Sequence, residues 1–235
     1  MSFNLSAARA YLSSQYDPAT GLFHEAPNAA PDSYWFYNDL QAAQLALGGM
    51  PTGAVDVTWP NLPPPRIRVL SGDLFKDNTV IVPNYTIILS TKGSSPLIKT
   101  ETPNLSANPL DVTQYADIAF YNVVHLFNQG QYANARTALI AAENMWDNVG
   151  WNDVGKGTGP YETYKCALYL IACKRLGVSR PLMTANQAVL VRCQVFNRAG
   201  FANQEGGVST NYTATNPYAG DTNVETTGDC VVASS

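Results

Sequence analysis

Apolar residues recur at helical spacing on both sides of one glycine turn in the middle of the chain. The first run places Tyr115, Ile118, Ala119, Val123, Leu126 and Phe127 on one face, and the second places Ala135, Ala138, Leu139, Ala142 and Trp146 on another. Gly130 stands between the runs, where a helix ends most easily in the left-handed conformation. Asp111 with Gln114 three residues later predicts a capping box. We therefore expect two antiparallel helices between Asp111 and Asp153.

The same spacing predicts further helices on either side of this hairpin. They follow Asn4, cover residues 34–47, begin at Pro160 and at Pro181, and start near Thr222. Residues from about 50 to 109 differ, because they are rich in proline and their short apolar runs are β-branched. Strands are predicted at 66–70, 79–82, 85–90 and 97–100, which together form a small antiparallel β-meander.

These elements predict a mainly α fold: a partial α/α toroid of about seven helices with the β-meander inserted. We expect one toroid-like domain over residues 1–235, with residues 50–109 as the inserted β-rich segment. A complete double-layered ring needs about twelve helices. The chain is therefore a partial toroid, an open bundle, or half of a ring that a partner chain closes. The low helix count and the β-insertion favour a homodimer.

Composition excludes several classes of function. Only 14% of the residues are charged and the net charge is −4, so nucleic acid is not an expected partner. No apolar run reaches the roughly 20 residues of a membrane span, and the first residues do not resemble a signal peptide. A cytoplasmic location is expected. Its reducing conditions predict buried free thiols at Cys166, Cys173, Cys193 and Cys230.

Acid side chains are the first candidates for catalysis. A glycosidase needs two carboxyl groups facing one cleft, roughly 5 to 9.5 Å apart. Asp39 and Asp117 are the preferred pair, because each lies inside a predicted helix near its aromatic face. Glu162 and Glu225 have a simpler explanation, since the helix dipole favours a negative charge in a first turn. The two histidines have no metal-binding spacing, so any bound metal stays unknown.

Aromatic residues beside polar ones predict a binding site for a hydrophobic small molecule. Flat aromatic walls suit a long conjugated or lipid-like ligand, and Lys165 can pair with a ligand carboxylate. The predicted ligand-binding residues are Tyr34, Trp35, Asn38, Asp39, Tyr115, Asp117, Trp151, Tyr161, Tyr164 and Lys165. The alternative is that these rings fill the core while Lys165 extends to solvent.

Several strings resemble known families. YDPATGLFHEAPNAAPDSYWFYNDLQAAQLAL, YADIAFYNVVHLFNQGQYANA, YETYKCALYLIACKRLG and GGVSTNYTATNPYAGDTNVETT together resemble an uncharacterised family of α-toroid proteins from archaea and fungi. Six-hairpin glycosidases share that general shape. This resemblance implies a glycoside hydrolase or polysaccharide lyase that uses paired carboxylates.

A second resemblance is to the pink chromoproteins of oyster mushrooms, and it rests on chain size and tyrosine-rich helices. These chromoproteins carry a polyene-type pigment and are not known as enzymes. The resemblance implies non-catalytic binding of a polyene-type chromophore, and this carrier function is the preferred prediction. A sugar-active hydrolase or lyase is the alternative, and a storage or structural protein without a ligand is a third.

Overall fold

The computed structural model describes residues 2–17, 22–27, 85–92, 95–103, 111–199 and 202–235. Within these ranges the chain is mainly helical, with a small antiparallel β part. The helices are α1 (Leu5–Ser14), α2 (Ala116–Asn128), α3 (Tyr132–Ala142), α4 (Thr163–Leu176), α5 (Met183–Cys193) and α6 (Val224–Ser234). The strands are β1 (Tyr16–Asp17), β2 (Leu22–Phe23), β3 (Tyr85–Lys92), β4 (Ser95–Pro103), β5 (Tyr161–Glu162), β6 (Val208–Ser209), β7 (Asn211–Tyr212) and β8 (Thr222–Asn223).

The predicted central hairpin is confirmed as α2 and α3. Gly130 between them has φ +74°, and its N–H donates to the carbonyl of Phe127 at 2.9 Å. The predicted capping box is wrong, because α2 begins after Tyr115. Asp111 instead closes a local turn, where its carboxylate accepts from the N–H of Thr113 at 2.8 Å and from the Gln114 amide at 2.9 Å.

Helix α4 occupies the centre of the described helices. Ten of its 14 residues are buried, as expected for a helix surrounded by others on all sides. Helices α2 and α6 pack directly against it. Helix α3 packs mainly on α2, α5 on α4, and α1 on α6, and α3 buries only three residues, Ala135, Leu139 and Ala142. From α2 to α6, inner and outer helices therefore alternate, while the toroid itself stays a prediction.

Most predicted helix starts are confirmed to within three residues. The Asn4 side chain caps α1 by accepting from the N–H of Ala7 at 3.0 Å. At α6 the cap is Asn223, whose side chain accepts from the N–H of Thr226 at 2.8 Å. Helix α4 begins three residues after Pro160, because β5 first pairs with β7. The helix predicted at 34–47 lies outside the described residues.

Part of the predicted β-meander is confirmed. Strands β3 and β4 form one antiparallel hairpin, which contains the predicted strands 85–90 and 97–100. The strands predicted at 66–70 and 79–82 lie outside the described residues. The limits of the inserted segment 50–109 stay a prediction.

The main core is built around packed aromatic rings. The Trp151 ring lies 4.8 Å from Phe120, 5.2 Å from Tyr169 and 5.2 Å from Trp146, measured between ring centroids. All three contacts are edge-on or tilted, the arrangement that aromatic pairs prefer. The prediction of buried free thiols is confirmed for all four cysteines. None of the helices in the described ranges has both the length and the apolar run that a membrane span needs.

Gly206, in the segment that follows α5, packs closely against Ala7 of α1. Its φ is +83°, and a Cβ there would collide with the backbone carbonyl of Ala7. We expect Gly206→Ala to lower the free energy of unfolding by about 3 kcal/mol, from the left-handed backbone and the collision together. Urea denaturation measures this change. Gly157→Ala is the matched control, because Gly157 has φ +51° but nothing within 4 Å of a Cβ. Equal losses in the two variants would show that the contact with Ala7 is unimportant.

Candidate functional site

The first turns of α2, α4 and α6 meet at one end of the described helices. The Tyr164 hydroxyl on α4 donates to Asp117 Oδ2 on α2 at 3.1 Å. Burial, followed by the negative charges of Asp117, Glu162 and Glu225, raises the pKa of Tyr164 well above its usual 10.0. Acid side chains from the starts of three helices therefore lie near one phenol. We call the set Asp117, Asp153, Glu162, Tyr164, Lys165 and Glu225 the acidic site.

Lys165 is the cation of the acidic site. Its side chain is only 2% exposed, and its Nζ lies 2.9 and 2.7 Å from the two carboxylate oxygens of Asp153 and 2.5 Å from Glu162 Oε2. Burial opposes the ammonium charge, but Glu162, Asp153 and Asp117 together raise the pKa of Lys165 above its usual 10.5. The alternative in which Lys165 extends to solvent is wrong. A ligand carboxylate would have to displace one of these protein carboxylates.

Asp153 connects three parts of the chain. Its Oδ2 accepts from the N–H of Ala116 at 2.8 Å, at the start of α2. Its Oδ1 accepts from the N–H of Lys156 at 3.0 Å, and both oxygens contact Lys165 on α4. A carboxylate that accepts a helix N-terminal N–H and an ammonium together forms strong, charge-assisted hydrogen bonds. Asp153 therefore fixes the spacing between α2 and α4 at the acidic site.

The short strands hold the starts of α4 and α6. The N–H of Thr163 donates to the carbonyl of Thr210 at 2.9 Å, and the N–H of Val208 donates to Thr227 Oγ1 at 3.0 Å. The N–H of Val224 donates to the carbonyl of Glu25 at 3.3 Å. The segment after β2 and the segment 208–210 therefore lie at the same end as the acidic site.

The structure brings together four of the predicted site residues. Asp117, Tyr164 and Lys165 belong to the acidic site, and Tyr115 precedes α2 beside it. A Cβ on Gly155 would lie 3.4 Å from Lys165 Nζ and 3.8 Å from the Tyr115 ring, so this ring and the ammonium share a neighbour. The predicted residues Tyr34, Trp35, Asn38 and Asp39 lie outside the described residues.

Two other predicted site residues make contacts elsewhere. Trp151 is fully buried, and its indole N–H donates to the Asn186 side chain at 2.9 Å. Tyr161 donates to Asp147 Oδ2 at 2.6 Å and stacks on Tyr212 with centroids 5.5 Å apart. The hydrogen bond to Asp147 and partial burial raise the pKa of Tyr161 to about 12. As ligand contacts, Trp151 and Tyr161 stay predictions.

Sequence reasoning did not select three acids of the acidic site. Glu162 and Glu225 were interpreted as partners of the helix dipole, and Asp153 had no assigned role. A signal was present: each of the three central helices carries an acid at its cap or in its first turn, namely Asp117, Glu162 and Glu225. Acids in equivalent positions of neighbouring inner helices converge when those helices start at the same end.

Among the described residues, the charged groups of the acidic site are four acid side chains and one ammonium. An excess of acid side chains favours neutral or cationic ligands over anionic ones. Across the described ranges, no three histidine, cysteine or acid side chains are grouped closely enough to hold a metal ion. The arrangement can donate a proton, accept one, and bind hydroxyl groups through carboxylate oxygens.

Comparisons of the chain with models of protein families, with curated proteins and with solved structures give no match.

Proposed function

We propose that the acidic site is the active site of a glycoside hydrolase that acts on neutral glycans. The observation that carries the proposal is the hydrogen bond from the Tyr164 hydroxyl to Asp117, with Glu162 and Glu225 at two other helix starts near enough to raise the pKa of Tyr164. Glycoside hydrolysis generally requires two carboxyl groups that face one sugar ring. Helix first turns supply such groups on rigid supports, so that the carboxyl groups hold their relative positions.

Asp117 and Glu225 are the proposed carboxyl pair. They stand in the first turns of α2 and α6, both of which pack against α4, and both raise the pKa of Tyr164. One would protonate the leaving oxygen and the other would activate water or attack the sugar carbon. Tyr164 orients Asp117 through its hydrogen bond, while Glu162 is engaged with Lys165. Asp39, from the sequence-based prediction, stays the alternative partner of Asp117.

The charge of the acidic site favours a hydrolase over a polysaccharide lyase. Lyases cleave uronate polymers, whose carboxylates need a cation in the site. The one lysine of the acidic site is already paired with Asp153 and Glu162. Within the described part of the chain, an additional anion would meet more acid side chains than cations at this site, so a neutral glycan is the proposed substrate class.

The test is release of reducing sugar from a panel of neutral polysaccharides and uronate polymers. We expect cleavage of at least one neutral glycan, and a loss of about 10³-fold or more in kcat for Asp117→Asn and for Glu225→Gln. Tyr164→Phe should lose about tenfold, because it removes only an orienting hydrogen bond.

Asp111→Asn is the matched control for Asp117→Asn, because Asp111 is exposed and, among the described residues, its carboxylate accepts hydrogen bonds only from its own turn. Its kcat should equal that of the unmodified protein. Thermal unfolding of each variant separates lost chemistry from lost fold. If no neutral glycan is cleaved, or if Asp117→Asn retains full activity, the proposal is wrong.

A second candidate function, the carrying of a polyene-type pigment, is favoured by the aromatic side chains at the same end. Tyr115 precedes α2, and Tyr121 lies one turn beyond Asp117 on the same helix. Aromatic walls would exclude water from an apolar chain, at about 25 cal/mol per Å² of buried apolar surface. A visible absorption band in protein purified from its natural source supports this function. Colourless native protein would contradict it.

The predicted homodimer remains part of this second candidate, because a partner chain can close the site of a partial ring. Light scattering tests it directly. A mass equal to that of one chain would contradict the dimer.

A further inference from the structure

A groove lies between the start of the chain, α4, α5 and the end of α6. Its volume is about 630 Å³, within the usual range of small-molecule sites. The floor is apolar, since Leu170, Leu190 and Ala233 are buried and Phe3 and Val191 are partly buried. A cavity of this size with an apolar floor suits a ligand with an extended hydrocarbon part.

One face of α5 forms a long wall of the groove. Thr184, Gln187, Ala188 and Val191 line it at the spacing that places residues on one side of a helix. This wall is about 10 Å long at 1.5 Å per residue. Helices α4 and α5 pack against each other across a short connection and therefore run antiparallel. Lys174, near the end of α4, thus lies toward the start of α5.

The described residues that line the groove carry positive charge. Lys174 and Arg192 are among them, and none of them is an acid. Arg192 is already held in place, because its guanidinium donates to the carbonyls of Thr213 and Ala214 at 3.2 Å each. The Lys174 ammonium has no hydrogen-bond or ion-pair partner within the part of the chain that the structure describes. Partial burial lowers the pKa of Lys174, and no carboxylate opposes that shift.

We propose that this groove binds a soluble anionic amphiphile, with its carboxylate at Lys174 and its hydrocarbon chain along the Thr184–Val191 face of α5. Charge complementarity selects the head group, since an ammonium at the edge of an apolar surface, without a carboxylate partner among the described residues, favours a ligand carboxylate. The proposal is independent of the hydrolase. Lys174 lies about 13 Å along α4 from Lys165, toward the opposite end of that helix from the acidic site.

The probe is dodecanoate below its critical micelle concentration, titrated into the full chain by calorimetry. We expect a dissociation constant in the micromolar range, at least tenfold weaker binding to Lys174→Gln, and equally weak binding of dodecanol to the unmodified protein. Arg175→Gln is the matched control, because Arg175 follows Lys174 but does not line the groove. Its affinity for dodecanoate should be unchanged.

Two further variants test the location. Ala188→Trp should fill the groove and abolish binding, because Ala188 is exposed and lines it. Gln187→Glu should weaken binding at least tenfold by adding a negative charge to the same wall. Thermal unfolding confirms that each variant is folded.

Three results would overturn the proposal. The first is no binding of dodecanoate to the unmodified protein, and the second is equal weakening by Lys174→Gln and Arg175→Gln. The third is sedimentation with phosphatidylglycerol vesicles without binding of free dodecanoate, which would assign the groove to a membrane surface.

Discussion

Replacement of Lys165 by methionine is expected to lower the free energy of unfolding by about 3–5 kcal/mol, because it leaves Asp153 buried without its cation. Lys165 is 2% exposed, and its ammonium contacts both oxygens of Asp153 and one of Glu162. Removing one partner of a buried ion pair exposes the other to the full penalty of desolvation. Urea denaturation at neutral pH measures the loss.

Lys174→Met is the matched control on the same helix. Lys174 is exposed and has no carboxylate partner within the described residues, so we expect a change within about 0.5 kcal/mol. The double variant Lys165→Met with Asp153→Asn should recover part of the loss, because it removes the unpaired charge. A loss below about 1 kcal/mol in Lys165→Met would show that water reaches Asp153.

The free energy of unfolding is expected to fall steeply as the pH rises above about 9. Burial raises the pKa of Cys166 from 9.0 to about 12, that of Cys193 to about 11, and that of Cys230 well above 9.0. A group whose pKa is raised in the folded state makes its full contribution to the free energy of unfolding at pH values below its unfolded-state pKa. That contribution is lost as the pH rises through the folded pKa. Each such thiol therefore contributes a slope of about 1.4 kcal/mol per pH unit between these limits.

Lys165 and Tyr164 extend this dependence to higher pH. The pKa of Lys165 is raised above 10.5, and that of Tyr164 is raised well above 10.0. As for the thiols, their contributions to the free energy of unfolding are complete below the unfolded-state pKa. They are lost as the pH rises through the raised pKa of the folded state.

Urea denaturation at a series of pH values measures the slope, and thiolate absorbance of the folded protein reports the native titration. Cys166→Ala should reduce the slope of the free energy of unfolding at alkaline pH by the contribution of one thiol. The loss of stability that comes from the smaller side chain should be the same at every pH. A flat profile to pH 11, or native thiols that ionise near 9, would contradict the expectation.

The sequence predicted helices well where one stretch contained the whole signal. The hairpin of α2 and α3 follows from local spacing and from Gly130, which adopts φ +74°. Pro160 predicted the start of α4 three residues early, because β5 pairs with Asn211–Tyr212, far along the chain. Local pattern contains no information about such a partner.

Only part of the acidic site could be predicted from the sequence, again because local pattern does not show which distant residues meet. Asp117, Tyr164 and Lys165 were selected because polar groups beside rings indicate a binding site. Glu162 and Glu225 were passed over, since the helix dipole alone explains an acid in a first turn. Their proximity to Tyr164 depends on three helices starting at one end, which only the tertiary packing shows.

The unequal burial of inner and outer helices determines the order in which the protein opens to solvent. Helix α3 exposes most of its surface, whereas α4 is enclosed over ten residues. Amide hydrogens of α3 therefore exchange through local opening, and those of α4 only when the whole core opens. Detachment of α3 would uncover the apolar side of α2, so aggregation of this protein would begin from that partly open form.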